Sequence, residues 1–171
     1  MEIIVGIIIA IVIISILLKY NKLIRLKNAV KQSQSGIDIY LNQRFDLITN
    51  LVECVKGYTS HEKDVLENIT KLRAQYIKNS RNIKKAEELN NSLNGILTIA
   101  EGYPELKSSD QFLNLQKNLE RIESQLQAAR RIYNEDVTIY NTTIESIPTN
   151  LIAKIFSFKQ AELFQIEEYK K

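Results

Sequence analysis

The chain has 171 residues, a formal net charge of +3, 44% hydrophobic residues and one cysteine. This length fits one apolar segment and a single domain with a real core, and the mild charge argues against a nucleic-acid-binding protein. The lone Cys54 excludes a disulfide within the chain and a cysteine-based metal site. Glycine and proline are scarce, at five and two residues, so the composition favours long helices over strands joined by tight turns.

The first predicted element is an uncharged apolar run at residues 3–18. As a helix it spans about 24 Å, and Lys19, Tyr20 and Lys22 extend it towards the ~30 Å of a bilayer core by snorkelling and by placing a ring at headgroup level. The alternative is a cleaved secretory signal, which needs a basic segment before the apolar run and a small-residue cleavage site. The sequence offers neither, so we expect residues 1–20 to form an uncleaved anchor that contacts membrane lipid.

The flanks of the run predict its orientation. Five basic residues follow it before the first acid, Asp38: Lys19, Lys22, Arg25, Lys27 and Lys31. Because Lys and Arg close to a membrane segment stay on the cytoplasmic side, we expect the N-terminus outside and residues 21–171 inside. The alternative, that these residues are simply the solvent-exposed face of a helix, is compatible with the same topology.

The anchor continues into apolar residues at helical spacing, which predicts one long helix up to a break at residues 57–60. These positions are Leu23, Leu26, Val30, Ile37, Leu41, Ile48, Leu51, Val52 and Val55. A glycine at position 36 with neighbouring serines is a candidate kink. A second helix is expected from about His61 to Gly102, weakened at residues 79–82.

The strongest helical pattern runs from Phe112 to Ile144, where apolar residues alternate in steps of three and four over more than four heptads. Ser108, Ser109 or Asp110 can cap its start, and a proline at position 148 marks its end. A last amphipathic segment is expected over residues 151–164, with Ile152, Ile155, Phe156 and Leu163 as its apolar positions.

Long helices joined by short loops fold back as antiparallel neighbours. The sequence therefore predicts an all-α fold, in which an N-terminal transmembrane helix is followed by an antiparallel bundle of about four long helices. The alternative is an array of helical repeats, but the chain shows no internal period of 30 to 50 residues.

Six polar residues lie on or beside the apolar stripes of the first and third soluble helices. They are Arg44, Asp46, Asn50, Glu123, Arg130 and Asn134. If they point inward they must pair, Asp46 with Arg130 or Arg44 with Glu123, because an isolated buried charge costs several kcal/mol. From periodicity alone, the favoured interpretation is that these residues flank the core and contact water.

Several stretches of the sequence resemble the LemA family of bacterial membrane-anchored helical proteins. They are KYNKLIRLKNAV (19–30), IDIYLNQRFDLITNLVECVKGYTSHE (37–62), YPEL (103–106), LERIESQLQAARRIYNEDVTIYN (119–141) and Pro148. The resemblance covers nearly the whole chain. The positions that match the family's motifs are Tyr20, Asn21, Asp38, Arg44, Asp46, Leu47, Asn50, Leu51, Lys56, Tyr58, His61, Glu62, Tyr103, Pro104, Glu123, Arg130, Tyr133, Asn134, Tyr140 and Asn141. The resemblance implies a single N-terminal anchor in the bacterial inner membrane, a cytoplasmic helical bundle at residues 21–171, and no established biochemical activity.

The resemblance also changes the interpretation of the polar residues. RFDLITN and AARRIYN are the family's most recognisable segments, so a contact between the helices that carry them becomes the better hypothesis. We then expect the six residues to form a structural polar cluster that fixes helix register, and Asp46→Ala to destabilise the bundle by roughly 3 kcal/mol or more.

Catalysis and cofactor binding are not expected. A di-metal site in a helical bundle uses Glu-x-x-His pairs, whereas the one histidine, His61, has no Glu three residues before it. Ser60 and Cys54 offer no evident triad geometry with His61, and no glycine-rich phosphate loop occurs. The tyrosines are expected to pack with their hydroxyl groups at the rim of the core rather than to stack on bases. The sequence thus predicts no enzyme, no metal and no cofactor.

Three functional hypotheses remain. The first is a membrane-tethered scaffold or adaptor with an unidentified protein partner. The second is a lipid-surface or membrane-organising protein, in which the basic stretch and the C-terminal amphipathic segment touch the bilayer. The third and least favoured is a regulatory subunit of a membrane enzyme. Gly6 and Ala10 form a small-xxx-small pair, which leaves a homo-oligomer through the anchors open.

Overall fold

The computed structural model of the chain describes residues 1–57, 97–98 and 100–164, in which the regular elements are all helices. Four helices have defined bounds: α1 at Glu2–Lys56, α2 at Pro104–Lys107, α3 at Asp110–Glu145 and α4 at Thr149–Ile155. For this part of the chain the predicted all-α class is confirmed. Most of the helix expected from His61 to Gly102, including His61 itself, lies outside the described residues.

Helix α1 is one unbroken element of 55 residues, which confirms that the apolar run continues into the first soluble helix. All thirteen Ile, Val and Leu side chains of residues 3–18 are exposed. The pattern changes at Leu23, which is fully buried, and the predicted apolar positions from there to Val55 are buried or half-buried. The helix ends just before Gly57, at the predicted break.

Helix α3 has 36 residues and follows the predicted seam. Of the three candidate caps, Ser109 accepts a hydrogen bond at its Oγ from the backbone N–H of Phe112, at 3.3 Å. This bond satisfies one of the free amides of the first helical turn. The seam positions from Phe112 to Ile144 are all buried or half-buried, as the alternation in steps of three and four predicts.

The chain divides into two compact units. Unit 1 comprises Met1–Gly36 and Ala128–Lys171, and unit 2 comprises Ile37–Gln127. The core of unit 1 joins α1, α3 and α4 through Leu23, Val30, Val137, Tyr140, Ile152 and Ala153. The core of unit 2 includes the buried Phe45, Leu51, Leu106, Phe112 and Leu126. The predicted boundary between an anchor at 1–20 and a domain at 21–171 stays a prediction.

The end of the described chain differs from the amphipathic segment expected over 151–164, because α4 stops at Ile155. The Ser157 N–H donates to the Lys154 carbonyl at 3.3 Å and the Phe158 N–H to the Ala153 carbonyl at 2.9 Å. With Ser157 at φ 56°, these bonds form a Schellman motif, which terminates the helix. Of the four expected apolar positions only Ile152 is buried.

Candidate functional site

Two Tyr–Asn pairs lie seven residues apart on α3: Tyr133 with Asn134, and Tyr140 with Asn141. Seven residues are nearly two helical turns, so the pairs share one face and are about 10.5 Å apart along the axis. The non-helical segment at residues 158–164, here called the strap, is hydrogen-bonded to this face of α3 within unit 1. The four side chains are called the clamp.

Each clamp asparagine bonds one strap residue twice. The Asn141 Nδ2 donates to the Ala161 carbonyl at 2.8 Å, and the Ala161 N–H donates to the Asn141 Oδ1 at 2.9 Å. The Asn134 Nδ2 donates to the Phe164 carbonyl at 3.0 Å, and the Phe164 N–H donates to the Asn134 Oδ1 at 2.7 Å. In an antiparallel β-sheet, a residue exchanges two hydrogen bonds with the backbone of the neighbouring strand, one through its N–H and one through its carbonyl. Here the asparagine side-chain amide takes the place of that neighbouring backbone.

The two clamp tyrosines add one bond each. The Tyr140 hydroxyl donates to the Lys159 carbonyl at 3.1 Å, and the Tyr133 hydroxyl donates to the Glu162 carbonyl at 2.9 Å. Burial raises the pKa of both phenols, and for Tyr133 the Glu162 carboxylate raises the pKa further. Both hydroxyl groups therefore stay protonated at neutral pH and can donate.

The distance between the two Tyr–Asn pairs on α3 matches the length of three strap residues. Three residues of nearly extended chain cover about 10 Å, close to the ~10.5 Å between the two pairs on the helix. The strap accordingly advances three residues from one pair to the next. Its exposure has the same period: Phe158, Ala161 and Phe164 are half-buried, and the residues between them are exposed.

Aromatic contacts hold both ends of the strap. The Phe158 ring centroid lies 5.8 Å from that of Tyr20, and the Lys27 Nζ lies 5.6 Å from the same Phe158 centroid. At the other end, the guanidinium carbon of Arg130 lies 4.8 Å from the centroid of the Phe164 ring. A cation placed over a ring in this way is attracted by about 0.5–1 kcal/mol at an exposed site.

The six residues of the predicted polar cluster divide between the two units. In unit 1, Arg130 contacts the strap through Phe164 and Asn134 bonds its backbone. In unit 2, the Arg44 Nη1 forms an ion pair with the Glu123 Oε2 at 2.8 Å, with 7% and 33% of the side chains exposed. The structure therefore contains the Arg44–Glu123 ion pair considered from the sequence, while the single register-fixing cluster stays a prediction.

The other two cluster residues, Asp46 and Asn50, are exposed. The destabilisation of roughly 3 kcal/mol or more that the sequence leads us to expect for Asp46→Ala stays a prediction. Asn50 lines an open cleft of about 440 Å³ in unit 2 with Cys54 and Gln111 among its neighbours. Burial raises the pKa of the Cys54 thiol, so the thiol is protonated at neutral pH and is a poor nucleophile.

The described residues contain no group of three or more His, Cys, Asp or Glu side chains placed to hold a metal ion. The structure instead assigns a binding geometry to Tyr133, Tyr140 and Asn141, for which the sequence predicted only packing or no role. The signal that could have revealed it is the repeat of Tyr-Asn after seven residues in IYNEDVTIYN. This repeat places two donor–acceptor pairs on one helix face.

Comparison with known proteins identifies the family. The model of the LemA family matches residues 33–171. The chain is 26% identical to Protein LemA of Metamycoplasma hominis, over 86% of this chain and 69% of that protein. It is 22% identical to magnetosome protein MamQ 2 of Paramagnetospirillum magneticum, and 20% identical to magnetosome protein MamQ of Magnetospirillum gryphiswaldense. Each match covers 88% of this chain and 66% of the MamQ protein.

The chain thus spans about two thirds of the length of these curated relatives. The family match covers most of the chain, and it includes the clamp, the strap and the Arg44–Glu123 ion pair. The resemblance inferred from the sequence is therefore confirmed: this chain belongs to the LemA family.

Proposed function

We propose that this chain is a single-pass membrane-anchored scaffold that presents its helices to a protein partner at the cytoplasmic face of the bacterial inner membrane, without catalysing a reaction. One helix in the described part of the chain, α1, is long and apolar enough to cross a membrane. Its thirteen Ile, Val and Leu residues at 3–18 favour insertion into a bilayer by roughly 5 kcal/mol. Water is a poor environment for so many exposed apolar side chains on one segment.

The observation that carries the proposal is the continuity of α1. The last exposed apolar residue of the run, Leu18, is only five residues from the fully buried Leu23. The apolar run and the core of unit 1 therefore share one helix with no linker between them, so the core of unit 1 would be held at a fixed height above the bilayer. A rigid attachment of this kind suits a scaffold.

The finer details of the proposal come from the sequence. The basic residues from Lys19 to Lys31 support an outer N-terminus and a cytoplasmic domain at 21–171. An antiparallel bundle of about four long helices, with α1 and α3 as two of them, is part of the same proposal. The absence of catalysis, metal and cofactor is supported by the lack of a recognisable motif for any of them.

A specific feature of α4 favours lipid-surface binding as a second candidate function. Leu151 and Ile155 are 62% and 74% exposed, and their spacing of four residues places them on one face of α4. The neighbouring Phe156 ring lies 4.7 Å from the ring of Tyr20, which follows the apolar run by two residues. An anchored chain would therefore hold this apolar face at headgroup level, where such faces bind lipid.

Tryptophan fluorescence in brominated-lipid vesicles tests both membrane contacts. The chain has no tryptophan, so the full-length Phe156→Trp variant carries a single reporter. We expect strong quenching by bromines in the upper acyl chain and none for the matched variant Leu113→Trp, at an exposed position in unit 2. Unquenched emission from both variants would show that α4 does not contact the bilayer. Release of the chain from membranes by alkaline carbonate would contradict the membrane anchor.

The scaffold function is tested by photo-crosslinking in intact cells. Ile132 and Ile139 are large apolar residues that are 55% and 45% exposed on α3, seven residues apart. A photoreactive amino acid at either position is expected to capture the same discrete protein, while the same group at the exposed Lys117 is not. Capture of lipid alone at both positions would contradict a protein-docking role.

A further inference from the structure

The clamp recognises main-chain atoms. All six hydrogen bonds between the clamp and the strap end on backbone N–H or carbonyl groups of the strap. Among the strap side chains, Phe158, Ala161 and Phe164 face inward at every third position, and Gln160 is hydrogen-bonded to Glu145 outside the clamp. The clamp therefore selects an extended segment of the form aromatic-x-x-small-x-x-aromatic.

A second copy of this chain provides such a segment with every recognised group in place. If the strap of one copy replaced that of another, the six hydrogen bonds and the ring contacts at Tyr20, Lys27 and Arg130 would all be remade. Exchange of an identical element between copies loses no contact, and it is a known low-cost route to oligomers.

The joint between α4 and the strap favours such an exchange. Ser157 adopts φ 56°, a left-handed conformation in which a residue with a Cβ is strained and which glycine usually occupies at this position of a Schellman motif. The strain would be released if the hinge opened and Ser157 returned to an ordinary conformation. Short hinges under strain promote the swapping of the segments that they connect.

We propose that the clamp on α3 binds residues 158–164 of a second copy of this chain, in the register in which it binds the chain's own strap. This inference goes beyond the scaffold function and does not require membrane insertion, although a shared membrane would raise the local concentration of copies. The chain's own strap then competes with the strap of the other copy for the same clamp, and the clamp is the site through which copies associate.

A peptide-binding experiment tests the site, with full-length chains in detergent micelles. The probe is a fluorescein-labelled peptide with the sequence of residues 157–164, SFKQAELF. The variant Ala161→Pro/Phe164→Pro lacks both amide donors of its own strap, so its clamp is vacated and we expect it to bind the probe at least tenfold more tightly than the wild-type chain. Adding Asn134→Ala/Asn141→Ala to this variant is expected to abolish binding.

Two control peptides decide whether the backbone is recognised. A peptide with proline at the positions of Ala161 and Phe164 is expected not to bind, and neither is a scrambled peptide of the same composition. Equal binding of the scrambled peptide would mean unspecific apolar contact and would overturn the proposal. Failure of SFKQAELF to bind the vacated clamp would overturn it as well.

Isotope mixing tests exchange between whole copies. The side chains of Gln160 and Glu145 are hydrogen-bonded, so a Gln160→Lys variant offers an amine to a carboxylate for zero-length carbodiimide crosslinking. A mixture of ¹⁴N and ¹⁵N chains is expected to give crosslinked peptides with one light and one heavy partner, which Glu145→Gln removes. Crosslinks that are only light–light and heavy–heavy would show that each strap stays on its own chain. Because the sample is in detergent, this result is independent of the anchor and of its orientation.

Discussion

The substitution Asn141→Ala tests how much one clamp asparagine stabilises the strap. It removes the Nδ2 donor and the Oδ1 acceptor that bond Ala161 at 2.8 and 2.9 Å. Each hydrogen bond contributes about 1 kcal/mol net, and water can reach the released strap groups, so we expect a loss of about 2 kcal/mol in the local stability of the strap. This corresponds to roughly 30-fold more frequent opening at residues 158–164.

Amide hydrogen exchange measures this opening directly. In the wild-type chain the Ala161 and Phe164 amides are donors to clamp side chains and are expected to be protected. In Asn141→Ala the Ala161 amide should exchange about 30-fold faster, whereas Asn114→Ala, at an exposed asparagine of the same helix, should change nothing. If the wild-type Ala161 amide exchanged as fast as in a free peptide, the clamp geometry described above would be refuted.

A nearly isosteric variant separates hydrogen bonding from packing. Asn141→Asp keeps an acceptor for the Ala161 N–H but places a carboxylate oxygen against the Ala161 carbonyl, where the Nδ2 donor lies 2.8 Å away in the wild-type chain. We therefore expect the strap of Asn141→Asp to open at least as often as that of Asn141→Ala at pH 7. Exchange at the wild-type rate would mean that side-chain volume, and not the paired bonds, holds the strap.

Three further predictions concern the hinge residue Ser157, the Arg44–Glu123 ion pair and the two clamp tyrosines. Ser157→Gly should raise the thermal unfolding midpoint, with a gain of about 0.5–1 kcal/mol, because glycine accepts φ 56° without the strain of a Cβ. Glu123→Gln should destabilise the chain by about 2 kcal/mol in urea titration, since it removes the charge that is paired with the buried Arg44 at 2.8 Å, while Glu120→Gln at an exposed position should be neutral. The pKa values of the two clamp tyrosines are raised in the folded chain, so their contribution to the stability of the strap is fully present below pH 10. This contribution is lost as the pH rises through the folded-state pKa. The exchange rate of the strap amides, corrected for its intrinsic pH dependence, should therefore stay constant from pH 6 to 9 and rise above pH 10.

Sequence reasoning was most successful where hydrophobic periodicity is long. The seam of α3 and the continuity of α1 extend over many turns, so they rest on many residues at once. The strap could not be predicted in this way, because the residues KQAEL all have a high intrinsic helix propensity. What keeps this segment extended is a set of bonds to residues 19 to 30 positions earlier in the chain. Local propensity contains no information on such contacts.

The polar residues show the same limit. Spacing alone placed Arg130 and Asn134 on one face of α3, one turn apart, and the structure has both of them on the strap. Spacing could not show that their partner is a non-helical segment of the same unit, since that segment was expected to be helical itself. Complementary charge named Arg44 with Glu123 as one of two candidate pairs without knowledge of the helix register, and the structure contains this pair.

Continuity between anchor and clamp constrains how straps can be exchanged. Tyr20 and Lys27, which contact Phe158, lie within about 15 Å of Leu18 along α1 at 1.5 Å per residue. Two chains anchored in the same orientation would therefore hold their clamps at the same height above the bilayer. Two copies can then exchange straps reciprocally about a two-fold axis parallel to the membrane normal. Such an exchange closes the assembly at two copies, whereas one-way exchange would produce open chains, so crosslinked species in bilayers should end at the dimer.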